Sequence, residues 1–126
     1  GQTCVAPDYL LVPRDRMGEV VDALKGAARR LYPDPDGGDY AAIARGRDLD
    51  RLRGLLEGER AVPLMEPMPR APRLGAYAVP GPRLDGTLMR EEIFGPILPV
   101  VPYDSVEEAV GFANARPCPL VAYVFG

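Results

Sequence analysis

Fifteen prolines and fourteen glycines, 29 of 126 residues, decide where this chain can hold regular structure. Proline fixes φ and removes a backbone donor, and glycine weakens helix and strand interiors, so both punctuate the periodic segments between them. The apolar run Tyr9 to Val12, closed by Pro13, reads as a buried strand. Asp15 then offers an N-cap to a helix with Met17, Val20, Val21, Leu24, Ala28 and Leu31 on one stripe. Arg29 and Arg30 fall in its last turn, where the helix dipole favours cations, and Pro33 stops it. Pro33 to Asp39 is a turn-rich loop. A second helix is carried by Leu49, Leu52, Leu55 and Leu56, with Gly58 as its C-cap. Pro63, Pro67, Pro69, Pro72, Pro80 and Pro82 restrict the stretch from Ala61 to Pro82 to short strands, at an edge or bulged. Ile97 to Val101 is a strand in which Pro99 again predicts an edge or a bulge. Ser105 and Glu108 form an S-x-x-E capping box for a third helix, whose face is Val106, Ala109, Val110 and Ala113. Leu120 to Phe125, apolar without alternation, predicts a strand covered on both sides.

This order of elements predicts an α/β fold with a parallel or mixed sheet. The length suits one domain, and 47% hydrophobic with 26% charged residues is a composition that collapses rather than one that stays disordered. No window reaches the roughly 18 apolar residues of a membrane span, and GQTCVAPD has neither the basic start nor the apolar core of a secretory signal, so the setting expected is cytoplasmic. A net charge of −3 and a pI near 5.0 give no positive field for a nucleic acid. The chain starts one residue before a Gln-Thr-Cys triplet and stops on Gly126 immediately after an apolar run, which suggests a piece of a larger protein.

With no histidine and only Cys4 and Cys118 for thiols, a Ser-His-Asp triad, a Cys-His pair and zinc-finger spacing are all excluded within these residues. No metal site is expected, and two isolated cysteines without an export signal are expected as free thiols. Cys4, in GQTCVAP, is either a small packed hydrophobe or a thiol in a turn whose N–H groups stabilise a thiolate. Cys118, between Pro117 and Pro119 and with only Arg116 nearby to activate it, reads as a packed hydrophobe; a redox pairing with Cys4 is the alternative. In REEIFGP, residues 90 to 96, the carboxylates are either a solvated step before a strand or, with Phe94, a ligand-facing pair. There the carboxylate would accept hydrogen bonds from hydroxyls and the ring would pack on a flat heterocycle. Spacing alone leaves both readings open.

GQTCVAPDY, then MREEIFGPILPV about ninety residues on, then ANARPCPLVAYVFG resembles the aldehyde dehydrogenase superfamily, in particular its class 3, fatty-aldehyde and coniferyl aldehyde branch. The resemblance implies part of a catalytic domain over residues 1–126, with a mostly parallel sheet flanked by helices. It implies that the cofactor-binding domain and the oligomerisation segment lie outside these residues. By the same resemblance Cys4 is the catalytic thiol, Glu92 binds the nicotinamide ribose and Phe94 lies beside the nicotinamide of NAD or NADP. The implied reaction oxidises an aldehyde, an aromatic one being the candidate substrate, to a carboxylic acid through a thiohemiacetal and a thioester. The complete enzyme would be a homo-oligomer and the 126-residue chain alone inactive; a non-enzymatic or self-associating α/β module is the alternative.

Overall fold

The computed structural model describes residues 1–125. Its elements are β1 (Leu10–Pro13), α1 (Met17–Leu31), α2 (Gly46–Leu55), β2 (Val62–Pro63), β3 (Tyr77–Pro80), β4 (Ile97–Tyr103) and α3 (Val106–Asn114). The four strands form one sheet in the order β1-β4-β3-β2, in which β1–β4 and β4–β3 pair in parallel and β3–β2 antiparallel. This is the expected α/β fold with a mostly parallel sheet.

Helices cover both faces, as a parallel sheet requires. On one face the stripe of α1 (Met17, Val20, Leu24, Ala28) packs over Val12, Ala78 and Val100; on the other, Leu49, Leu52 and Leu55 of α2 pack with Val79, Ile93 and Ile97. Successive strand residues such as Ala78 and Val79 therefore feed opposite cores. Tyr40 closes the α2 side, its hydroxyl donating to Leu74 O at 2.7 Å, and burial pushes its pKa up to about 12.

β4 overturns the expectation of an edge or bulge at Pro99, because it is flanked by β1 and β3. The N–H groups of Tyr77 and Gly81 donate to Pro96 O and Val100 O, so even-numbered β4 residues turn their polar groups to β3 and odd-numbered ones to β1. Pro99 faces β1 one residue before its pairing begins at Leu10↔Val100, and Pro102 faces β3 after its pairing ends at Pro80↔Val100. Each proline sits where a neighbouring strand has run out and no donor is required.

The helix ends differ in detail from the sequence reading. Asp15 lies within a 3₁₀ turn, Arg14–Arg16, and α1 starts after Arg16 without a side-chain cap. α2 ends at Leu55, and Gly58, at φ +74°, turns the chain beyond it instead of serving as the C-cap. At α3 the Ser105 hydroxyl accepts from Glu108 N–H at 3.1 Å, while the Glu108 carboxylate accepts from Asp104 N–H at 2.7 Å. The box thus closes one residue earlier than the pattern specifies. Arg14 binds Asp104 through two hydrogen bonds of 2.7 and 2.8 Å, clasping the C-terminal ends of β1 and β4 and holding the Asp104 carboxyl below its usual range.

The face assigned to α3 is divided: Ala109 and Ala113 are half-buried, but Val106 and Val110 are exposed. Residues 120–125 form no strand and are exposed, which corrects the expectation of a strand covered on both sides. Within the described residues no strand pairs with this run; Tyr123 hydroxyl donates to Val5 O at 3.0 Å. No helix among the described residues is long and apolar enough to cross a membrane.

Candidate active site

Cys4 precedes β1, and Glu92 and Phe94 precede β4. Because β1 and β4 pair in parallel, the segments entering them lie at the same end of the sheet. Specific contacts then join the two segments. Gly1 lies against the Gly95 carbonyl so closely that it has no room for a side chain. The Asp8 carboxylate accepts from Ile93 N–H at 3.3 Å. On the far side of the thiol segment, Gln2 donates to Ala42 O at 2.9 Å and accepts from Ala44 N–H at 3.1 Å, anchoring it to the loop before α2.

Cys4 sits in a turn in which Ala6 N–H donates to Thr3 O at 3.1 Å. Its side chain is exposed and free, and its own N–H makes no hydrogen bond among the described residues. The reading of Cys4 as a packed hydrophobe is therefore set aside. Cys118 is also exposed and free, which corrects its reading as a packed hydrophobe; its Sγ faces Pro119 O at 3.7 Å.

The Glu92–Gly95 turn alternates between presentation and anchorage. Glu92 and Phe94 are exposed, whereas Ile93, 2% exposed, and Gly95 are buried. Phe94 has φ +49°, a left-handed conformation that costs a non-glycine residue about 1–2 kcal/mol and persists only where the surroundings impose it. They do so here. Arg51 of α2 donates to Glu92 O at 3.3 Å and to Ile93 O at 2.6 Å, and Leu52 fills the space that a Gly95 side chain would need. The Glu92 carboxylate has no partner among the described residues, so a half-exposed ring and a free double acceptor are offered together beside the thiol segment. Those two groups suit the flat ring and ribose hydroxyls of a nicotinamide nucleotide.

The sequence reading named Cys4, Glu92 and Phe94 but missed Arg51, Asp8 and Gln2. Arg51 and Asp8 serve backbone groups 41, 42 and 85 residues away, and a backbone carbonyl or N–H partner leaves no pattern in a sequence. The described residues contain no cluster of acidic and thiol groups able to hold a metal.

A mostly parallel α/β sheet thus carries an exposed thiol and the Glu92–Phe94 turn at one end. The family follows directly: residues 1–126 match the model of the aldehyde dehydrogenase family throughout, and the chain belongs to that family. It is 44% identical to a protein of Pseudomonas aeruginosa described as a probable coniferyl aldehyde dehydrogenase, over all of this chain and 28% of that one. It is 39% identical to a dimeric NADP-preferring aldehyde dehydrogenase of Canis lupus familiaris, over 99% of this chain and 28% of the relative. Among solved structures, the substrate-bound state of Staphylococcus aureus AldH superposes with a TM-score of 0.84 at 33% identity, over 95% of this chain and 27% of that one. A Mycobacterium tuberculosis aldehyde dehydrogenase complexed with NAD+ superposes with a TM-score of 0.74 at 28% identity, over 90% and 26%. The chain thus spans little more than a quarter of the length of these relatives.

Proposed function

We propose that residues 1–126 are part of the catalytic domain of an NAD- or NADP-dependent aldehyde dehydrogenase that oxidises an aldehyde to a carboxylic acid. The observation that carries this reading is the parallel pairing of β1 with β4, which delivers the exposed thiol and the Glu92–Phe94 turn to one end of the sheet. Cys4 is the nucleophile: its thiolate adds to the aldehyde carbonyl carbon, forming a C–S bond and a thiohemiacetal. The unpaired Cys4 N–H is available to the oxygen on which negative charge develops. When bound, NAD or NADP supplies the hydride acceptor that takes the thiohemiacetal to a thioester, which water hydrolyses to the acid. Glu92 accepts hydrogen bonds from the ribose hydroxyls and Phe94 packs beside the nicotinamide.

The names of the relatives support the finer points. Coniferyl aldehyde dehydrogenases favour an aromatic aldehyde as substrate, and the dimeric NADP-preferring relative favours a homo-oligomer of the complete enzyme. The cofactor-binding domain and the oligomerisation segment lie outside these 126 residues in this reading, in keeping with coverage of 28% of the first relatives. The free thiols suit a reducing, cytoplasmic setting. The 126-residue chain by itself is expected to make no NAD(P)H from aliphatic or aromatic aldehydes, and turnover by the pure chain would overthrow the partial-domain assignment.

Glu92→Gln in the complete enzyme tests the site. The change keeps size but replaces a charged double acceptor with an amide bearing one acceptor oxygen. A lost hydrogen bond to a charged group is worth about 1.5–3 kcal/mol, so kcat/KM for the cofactor should fall by roughly one to two powers of ten. Cys4 alkylation measured without cofactor should stay unchanged. Unaltered cofactor kinetics would return Glu92 to a solvated surface carboxylate.

A further inference from the structure

We propose that Arg51 is a positioning residue for the nicotinamide side of the site, setting the directions in which Glu92 and Phe94 leave the backbone. The inference rests on the reading of Glu92 and Phe94 given above and adds a residue to it. Arg51 lies on α2, half-buried, immediately before Leu52, which is fully buried beneath Gly95. Its two terminal nitrogens reach different peptide groups of the same turn: Nη1 donates to Glu92 O at 3.3 Å and Nη2 to Ile93 O at 2.6 Å. The Ile93 N–H between those carbonyls is held by the Asp8 carboxylate at 3.3 Å. Consecutive peptide planes ahead of Phe94 are therefore gripped from two sides, from α2 and from the segment that carries Cys4.

Two features separate this grip from ordinary packing. First, the turn it holds contains the one non-glycine residue of the described chain with a positive φ, Phe94, which a relaxed backbone would abandon. Second, Arg51 forms no ion pair among the described residues; its charge is directed at carbonyls alone. Its neighbour Arg53, by contrast, pairs with Asp50 at 3.5 Å on the exposed side of the same helix. A planar guanidinium can satisfy two carbonyls at once in a fixed geometry, which neither an apolar side chain nor a point-charge ammonium reproduces. Among the described residues the hydrogen bonds of Arg51 go to the carbonyls of Glu92 and Ile93 and not to the thiol or the side chains of the turn, so it acts through that backbone.

The test uses the complete enzyme with Arg51→Met and Arg51→Lys. Arg51→Met should raise KM for NAD(P) by about tenfold or more, the scale of lost charge-assisted hydrogen bonds. Arg51→Lys, whose ammonium reaches one carbonyl, should recover part of that loss. In the cofactor-free protein, amide hydrogen exchange at residues 93–95 should quicken in Arg51→Met, while the alkylation rate of Cys4 stays at its wild-type value. Faster exchange with unchanged cofactor KM would reduce Arg51 to a structural brace and overturn the proposal, as would no change in either. If Arg51→Met does not fold, the Lys variant carries the same comparison. Glu92→Gln distinguishes the two levels: no cofactor effect there defeats the underlying reading, whereas an effect at Glu92 with none at Arg51 defeats this inference alone.

Discussion

The Glu92–Gly95 turn and the Leu120–Phe125 run are both apolar-rich stretches outside regular structure, yet the molecule treats them in opposite ways. Ile93 is 2% exposed, whereas Val124 is 93% and Phe125 82% exposed. Hydropathy alone would order them the other way, because the run is uninterruptedly apolar and the turn opens on Glu92. The turn enters the central strand of the sheet, so α2 lies across it and the Cys4 segment runs beside it, and each supplies a hydrogen-bond partner. The run follows α3, beyond the last strand, and no strand of the described sheet receives it. Burial is decided by which elements the topology brings alongside, and the Glu92–Gly95 turn is the one that topology over-determines.

The contrast is broken most severely beneath the turn. Leu52→Ala removes a fully buried side chain and leaves a cavity under Gly95, so a loss of about 2–5 kcal/mol in urea unfolding is expected. Gly95→Ala attacks the same contact from above by forcing a methyl group into Leu52, at about 1–3 kcal/mol. The double variant should cost less than the sum, because the cavity receives the methyl group. Strict additivity would show that the turn and α2 are not packed as described.

Tyr40 extends the comparison to pH. Its pKa is pushed from an unfolded value of 10 up to about 12 by burial, so the folded state keeps a proton that the unfolded state releases. Stability from this group is complete below pH 10 and is lost as pH rises through 12, by an amount on the order of 3 kcal/mol. Tyr40→Phe should flatten that part of the stability profile, and an unchanged slope would assign it elsewhere. The smallest effect belongs to the exposed run: Phe125→Ser should alter unfolding by no more than about 0.5 kcal/mol. It should also reduce any self-association seen by light scattering, because it removes exposed apolar surface.

Local signals in the sequence translate well where the partner is also local. The Ser105–Glu108 box lies within one turn, and the α1 stripe faces one sheet surface from Met17 to Ala28, although Leu31, counted in the same stripe, is exposed. Pro99 misled because an absent donor matters only if a neighbour asks for it, and strand length on either side of β4 is a tertiary property. Leu120 to Phe125 misled for the same reason: a continuous apolar run states a need for cover without saying what provides it. Of the proposed site, Cys4, Glu92 and Phe94 are named through the motifs that carry the family resemblance. The bonds that assemble them, from Arg51 and Asp8 to peptide groups, are not.

Alkylation of the two cysteines in the complete enzyme tests most directly whether Cys4 and the Glu92–Phe94 turn form one site. Both thiols are exposed in the described chain, and Cys118, which has no role in the proposed site, serves as an internal standard. With limiting iodoacetamide and peptide mass analysis, Cys4 should be labelled first, and NAD or NADP should change its rate while leaving that of Cys118 alone. Equal labelling of the two, or a Cys4 rate indifferent to the cofactor, would contradict the account.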